Sequence, residues 1–246
     1  MRLLLIAFQF LTIIPLPFAV RCEKEDLGRS TAFFPLVGFT IGGLLVLCNW
    51  LISPWLARPL CDALLITLLA LITGALHLDG LADVCDGLAA RGSRERFLAI
   101  MKDSQVGAVG AVGLVLGILL KWQALVAVPT ELKWQALLLF PALARFGQVL
   151  TLTGARHARQ DGLGAVFVQG SGGWTLFLAF LTAASASLFL LGSKGAIAVA
   201  AVCVLTLAGR MFFQLKLGGL TGDTIGCISE LNEILALIVF SAMLAH

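Results

Sequence analysis

The chain has 246 residues, of which 59% are hydrophobic and only 13% charged, and its mean hydropathy of +1.00 lies well above that of ordinary soluble domains. A net charge of +3 with no basic tract among interleaved aromatics argues against a nucleic-acid surface. Six scattered cysteines with no Cys-x-x-Cys pair, and no histidine at ligand spacing, argue against zinc and against a disulfide framework.

The first apolar segment, Leu3 to Leu16, is short and runs into Pro15 and Pro17, which predicts an interfacial or re-entrant helix. It lacks a basic start followed by a small-residue cleavage site, so a removed signal peptide is not expected. Spans follow near 31–53, 62–78, 107–128, 134–153, 173–192, 195–217 and 225–245, close to the ~20 apolar residues needed to cross a bilayer core. The expected fold is an all-α integral membrane protein with about seven transmembrane helices plus the N-terminal helix, one polytopic domain over residues 1–246. Small-residue pairs such as Gly38/Gly42 and Gly113/Gly117 are expected to serve close helix packing.

With the N-terminus inside, the connections at 17–30, 79–106, 154–172 and 217–224 share one side. That side and its helix ends carry Arg21, Lys24, Arg29, Arg91, Arg94, Arg96, Lys102, Arg156, Arg159, Arg210 and Lys216, against Arg58, Lys133 and Lys194 opposite. Eleven cations against three make it the cytoplasmic side. The acids are as uneven, with only Asp62 and Glu131 outside. Acids do not set topology, so this second asymmetry predicts a catalytic face.

The strongest signal is the run from His77 to Arg91, which contains Asp79, Asp83 and Asp86. Spacings of four and three place the three carboxylates on one helix stripe. A divalent cation such as Mg²⁺, Mn²⁺ or Ca²⁺ would remove their mutual repulsion. Cys85 points off this stripe and is read as packing; His77 either positions a ligand or packs. Lys102 and Asp103 stand just before the next span, Asp103 as a candidate fourth ligand or general base. A glycine-rich approach, Gly218 to Gly226, leads to Asp223, Glu230 and Glu233 on one helix face. Ionised groups within a span are functional candidates, since facing lipid would cost each ~3 kcal/mol or more. A third group comprises Arg145, Arg156, His157, Arg159 and Asp161-Gly-Leu-Gly164; Arg145, inside an apolar helix, needs a carboxylate or a phosphate as partner. Carboxylates, a divalent ion and arginines at a membrane surface fit phosphoryl or phosphodiester transfer. A cation-coupled transporter is the alternative from another class, and it predicts acids near midplane instead of at inner helix ends.

Asp83-x-x-Asp86-Gly87-x-x-Ala90-Arg91 resembles the first half of the signature of CDP-alcohol phosphotransferases, with the second half absent, so a lipid phosphotransferase of that class is a further alternative. Three motifs together closely resemble the cobalamin synthase, or adenosylcobinamide-GDP ribazoletransferase, family. They are His77-Leu-Asp-Gly-Leu-Ala-Asp-x-x-Asp-Gly, Met101-Lys-Asp-Ser-x-x-Gly107, and Gly219-x-Thr-Gly-Asp-x-x-Gly226 with Glu230 and Glu233. The resemblance extends to Phe10-Leu-Thr…Pro15-Leu-Pro17, Phe34-Pro-Leu-Val-Gly38 and Gly162-Leu-Gly164. It implies Mg²⁺-dependent joining of adenosylcobinamide-GDP to α-ribazole or its 5′-phosphate, with release of GMP, at the cytoplasmic face of the cell inner membrane. On that reading Asp79, Asp83 and Asp86 hold the metal, and Asp103 completes the site as ligand or base. Asp223, Glu230 and Glu233 form a second acidic wall that binds a second metal or holds arginines. Arg91, Lys102 and Arg145 face phosphate. Beyond its substrates the chain is expected to contact membrane lipid, and a homo-oligomer is compatible with the sequence.

Overall fold

Twelve α-helices follow one another among the described residues, which in this computed structural model are all except 17–19, 91–92, 104, 159–162 and 245–246. They are α1 (Arg2–Leu11), α2 (Lys24–Ser30), α3 (Phe34–Ile52), α4 (Arg58–Ile72), α5 (Leu76–Ala89) and α6 (Arg94–Ile100), then α7 (Ala108–Ala127), α8 (Lys133–Leu152), α9 (Leu163–Gly170), α10 (Gly173–Leu191), α11 (Ser193–Leu217) and α12 (Gly222–Leu244). Six units are long and apolar enough to cross a bilayer: α2 running into α3, then α7, α8, α10, α11 and α12. The chain is an all-α multi-pass membrane protein. A seventh crossing exists if α4 and α5 are counted as one broken span.

That break departs from the expected continuous span at 62–78. The chain turns by 90° between α4 and α5, through Gly74 and Ala75 at φ +59° and +55°. Glycine takes the left-handed conformation freely, whereas Ala75 is strained there by about 1–2 kcal/mol. The turn is held from the N-terminal segment, where the Ile13 amide donates to the Ile72 carbonyl at 2.8 Å. The acidic run therefore forms its own helix instead of extending an apolar one.

α8 is the hub. Its span is 89% buried, against 28%, 22% and 28% for α7, α10 and α11, which leave most of their surface to lipid. It is also the least hydrophobic of the six spans, since its polar Arg145 and Gln148 must be kept away from lipid, and α3 can approach it closely because Gly38 and Gly42 face it. A side-chain carbon at Gly38 would lie 2.5 Å from Ala142 Cα, and one at Gly42 would lie 2.6 Å from the Leu138 carbonyl oxygen. The expected packing role of this pair is what the structure shows. α1, ten residues long and so about 15 Å, is too short to cross. It buries Ile6, Ala7 and Leu11, and Phe10 packs with Phe34 of α3 and Phe167 of α9, ring centroids 4.4–6.0 Å apart. Those contacts explain why the Phe10 and Phe34 motifs sit where they do.

The connections at 79–106, 154–172 and 217–224 meet on one face. Arg94 on α6 donates through Nε to the Leu217 carbonyl (2.6 Å) and through Nη2 to the Ala158 carbonyl (2.8 Å). The segments around His157 and Leu220 pair as a short bridge, with the Leu220 amide donating to the Arg156 carbonyl at 2.8 Å. The 17–30 connection joins through α2, whose Gly28 packs backbone to backbone on Gly170 of α9. At the opposite end, buried Asp62 pairs with Lys133, Arg58 donates to Thr130 and to the Val128 carbonyl, and Trp122 Nε1 donates to the Pro59 carbonyl at 2.8 Å. These contacts clasp the start of α4 to the α7–α8 connection.

Single cysteines at Glu95 and Arg156, in a background lacking the native six, are expected to react with an impermeant maleimide from one side of the membrane. Cysteines at Trp55 and Glu131 should react only from the other side. Labelling of 95 and 156 from opposite sides would refute the shared face.

Candidate active site

α5 carries the aspartates, and glycines set its position. Gly80 lies against α12, where an added side-chain carbon would come within 2.6 Å of the Asp223 carbonyl oxygen, and Gly226 faces His77 and Gly80 in return. On the other flank, Gly107, Gly110, Gly113 and Gly117 of α7 meet Asp86, Cys85 and Leu81. Spacings of three and four make these glycines one stripe. Gly80 and Gly226 of the two motifs are thus two sides of one helix contact. Cys85 packs on Gly113, as expected.

Asp86 has a specific partner. Its two oxygens accept the backbone N–H groups of Gly107 and Gly110, each at 2.7 Å, at the start of α7. The first N–H groups of a helix have no partner within it, and a carboxylate there also meets the positive end of the helix dipole. Asp86, expected as a metal ligand, serves here as an N-terminal cap supplied from another helix. Any side chain at Gly107 or Gly110 would collide with its carboxylate. Asp79 is exposed and Asp83 half-buried on the same helix. Asp103 and Lys102 are exposed in the turn between α6 and α7, where Asp103 Oδ1 accepts the Gln105 amide at 3.0 Å. Among the described residues no three His, Cys, Asp or Glu side chains gather closely enough to hold a metal ion.

The second acidic wall, expected to bind a second metal or to hold arginines, meets two cationic side chains. Glu230 and Glu233 are 4% and 1% exposed and take cationic partners. Lys121 Nζ of α7 lies 2.5 Å from Glu230 Oε2 and 2.6 Å from Glu233 Oε2, and Arg145 Nη1 of α8 lies 2.5 Å from Glu233 Oε1. With those oxygens already bound to ammonium and guanidinium groups, no metal is needed to balance the carboxylates. Arg145, expected to face phosphate, is fully buried, and its open alternative resolves to a carboxylate partner. His77 is also buried, with Nε2 2.6 Å from the Gln148 side-chain amide of α8. Arg145 Nε and Nη2 and Gln148 Oε1 have no hydrogen-bond partner, which leaves polar capacity in this layer. Asp223 stands half-buried in the first turn of α12 beside Gly80. Arg91, Arg159 and Asp161 lie outside the described residues.

Lys121 and Gln148 were not singled out in the sequence. Lys121 offered the same signal as Arg145, a lone cation in the middle of an apolar span. Gln148, a neutral amide in a long apolar helix, offered almost none.

The model of the cobalamin-5-phosphate synthase family matches residues 3–241. A protein from Geotalea daltonii called adenosylcobinamide-GDP ribazoletransferase is 59% identical, over 99% of this chain and 98% of its own length. Proteins of the same name from Acetivibrio thermocellus and Thermoanaerobacter sp. are 34% and 31% identical, over 98% and 96% of this chain and 97% and 96% of theirs. No solved structure matches.

Replacing Lys121 by Met leaves buried Glu230 without a cation, while Glu233 keeps Arg145, and is expected to lower unfolding free energy in detergent by about 3–5 kcal/mol. Adding Glu230→Gln to Lys121→Met should recover part of that loss. A Lys121→Met protein with the parent's denaturation midpoint would show that the network does not hold the helices together.

Proposed function

We propose, from the premise that this chain belongs to the cobalamin-5-phosphate synthase family, that it joins adenosylcobinamide-GDP to α-ribazole or its 5′-phosphate. In the reaction a ribazole hydroxyl attacks the phosphorus that carries the cobinamide. The pyrophosphate P–O bond breaks, a phosphodiester P–O bond forms, the hydroxyl proton passes to a base, and GMP leaves. The end-to-end family match favours this reading over a lipid phosphotransferase or a transporter.

The observation that carries the site assignment is the placement of α5. Its Gly80 lies against the Asp223 backbone at the start of α12, and its Asp86 lies against Gly107 and Gly110, just after the turn that carries Lys102 and Asp103. Mg²⁺ suits this donor set, because it is usually held by one or two carboxylates and completed by substrate phosphate oxygens and water. Asp79 and Asp83 would be those carboxylates, and the ion would neutralise charge on the pyrophosphate. Asp86 would act indirectly, fixing α5 against α7, and Glu230 and Glu233 would hold Lys121 and Arg145. Asp103 would take the hydroxyl proton, an assignment supported by its exposure on a turn next to α7. Lys102 and Arg91 would meet phosphate oxygens, and Asp223 a substrate hydroxyl. The excess of cations on this face supports a cytoplasmic orientation in the inner membrane.

Purified protein in detergent with both substrates and Mg²⁺ should release GMP, and Asp83→Asn should slow release by roughly 10²-fold or more without loss of membrane insertion. EDTA should stop the reaction and Mg²⁺ or Mn²⁺ restore it; restoration by Zn²⁺ alone would contradict oxygen ligation. Glu230→Gln should leave the Mg²⁺ concentration for half-maximal rate unchanged. A rise in that concentration would return the glutamates to the metal site.

A further inference from the structure

A cavity of about 420 Å³ lies between α4 and α7 within the membrane-spanning region, in the size range of small-molecule sites. Its walls are mostly apolar, from Ile66, Leu69 and Ala70 on one side and the partly lipid-exposed Ile118 and Leu119 on the other, with Thr67 and Thr73 whose hydroxyls donate to helix carbonyls. The start of α4 and the end of α7 are clasped by the Trp122–Pro59 hydrogen bond. Toward the motif face the cavity reaches Leu78, the residue before Asp79. The only ionised groups in its lining are Lys121 and Glu230, which are otherwise almost completely buried.

These two groups restrict what can occupy the space. Lys121 and Arg145 balance Glu230 and Glu233, so the charge layer is already neutral. A phosphate headgroup or a metal ion in the cavity would unbalance it, at the high cost of an uncompensated buried charge. A lipid acyl chain would match the walls and leave hydrocarbon against the polar floor. The match is a neutral, largely apolar molecule with one hydrogen-bond acceptor. Lys121 has three N–H groups and gives two to the glutamates, so one is available to that acceptor.

We infer that the α4–α7 cavity is the subsite for the aromatic base of the nucleoside substrate, with the Lys121–Glu230 pair as its polar floor. This rests on the function proposed above. The base of ribazole, a dimethylated benzimidazole, is a neutral bicycle with one free ring nitrogen that accepts a hydrogen bond. Glu230 lies seven residues along α12 from Asp223, about 10 Å at 1.5 Å per residue. A nucleoside with its base at that depth directs its sugar toward Asp79 and Asp223 on the motif face, where the phosphate chemistry takes place. The cavity thus separates the apolar half of the substrate from the anionic half, and it selects against nucleosides whose bases carry more polar edges.

The test is steady-state GMP release with each substrate varied in turn. Filling the cavity with Ala70→Phe should raise KM for α-ribazole roughly tenfold or more and leave KM for adenosylcobinamide-GDP unchanged. Free 5,6-dimethylbenzimidazole should inhibit the parent competitively against α-ribazole and inhibit Ala70→Phe much less. It should also quench the fluorescence of Trp122, which lines the cavity, and the quenching should disappear in Trp122→Phe; this readout stands if Ala70→Phe does not fold. Unchanged KM values in a folded Ala70→Phe protein, non-competitive inhibition, or absent quenching would overturn the subsite. So would a copurified lipid that the free base does not displace, seen by native mass spectrometry. Absence of GMP release by the parent protein would instead overturn the functional reading itself.

Discussion

Four full charges are enclosed in the middle of the bundle, and much of the helix arrangement follows from neutralising them. Lys121 on α7 and Arg145 on α8 meet Glu230 and Glu233, one turn apart on α12. In a bilayer an ionised side chain must find an opposite charge, a polar cavity or the interface. Once three helices each contribute to one neutral cluster, none can slide or rotate without exposing a charge to hydrocarbon. Such a pair contributes less to net stability than to uniqueness of register, and here register matters. It sets which residues of α7 and α12 lie at the level of α5.

The glycine contacts then use that register. Gly80 and Gly226 bring α5 against α12, and the stripe from Gly107 to Gly117 brings it against α7. Without a hydrophobic driving force inside a bilayer, helices associate by close van der Waals contact, which small residues permit. Asp86 completes the arrangement by capping α7. The acidic run therefore has two kinds of aspartate. Asp86 accepts two backbone N–H groups and fixes the helix, whereas Asp79 is exposed and Asp83 half-buried. Divided roles of this kind follow from geometry, since all three residues share the same charge and the same stripe.

The connections on the motif face are equally interlocked. Arg94 ties α6 to the end of α11 and to Ala158, so segments more than a hundred residues apart in sequence form one floor. An enzyme that joins a bulky corrinoid nucleotide to a smaller nucleoside must hold two partners of very different polarity.

Much of this was legible in the chain itself. Apolar runs near the length of a bilayer predicted the all-α membrane fold, because hydrophobic length is a local property. The spacing of Asp79, Asp83 and Asp86 predicted a shared helix face, and the glycine pairs predicted close packing, both from helical periodicity alone. The three motifs in order pointed to the family that the full-length matches then established. The break at Gly74 and Ala75 has no local signature, since a single glycine in an apolar run is compatible with a continuous helix. Nor could the sequence separate Asp86 from its neighbours or assign partners to Glu230, Glu233 and Arg145. Lys121 and Glu233 are 112 residues apart, and periodicity carries no information on which distant charge a helix face will meet. Local pattern determined the helices and the candidate acids; only tertiary packing decided which acids meet Lys121 and Arg145 inside the bundle, because Coulombic pairing depends on distances that the folded chain alone defines.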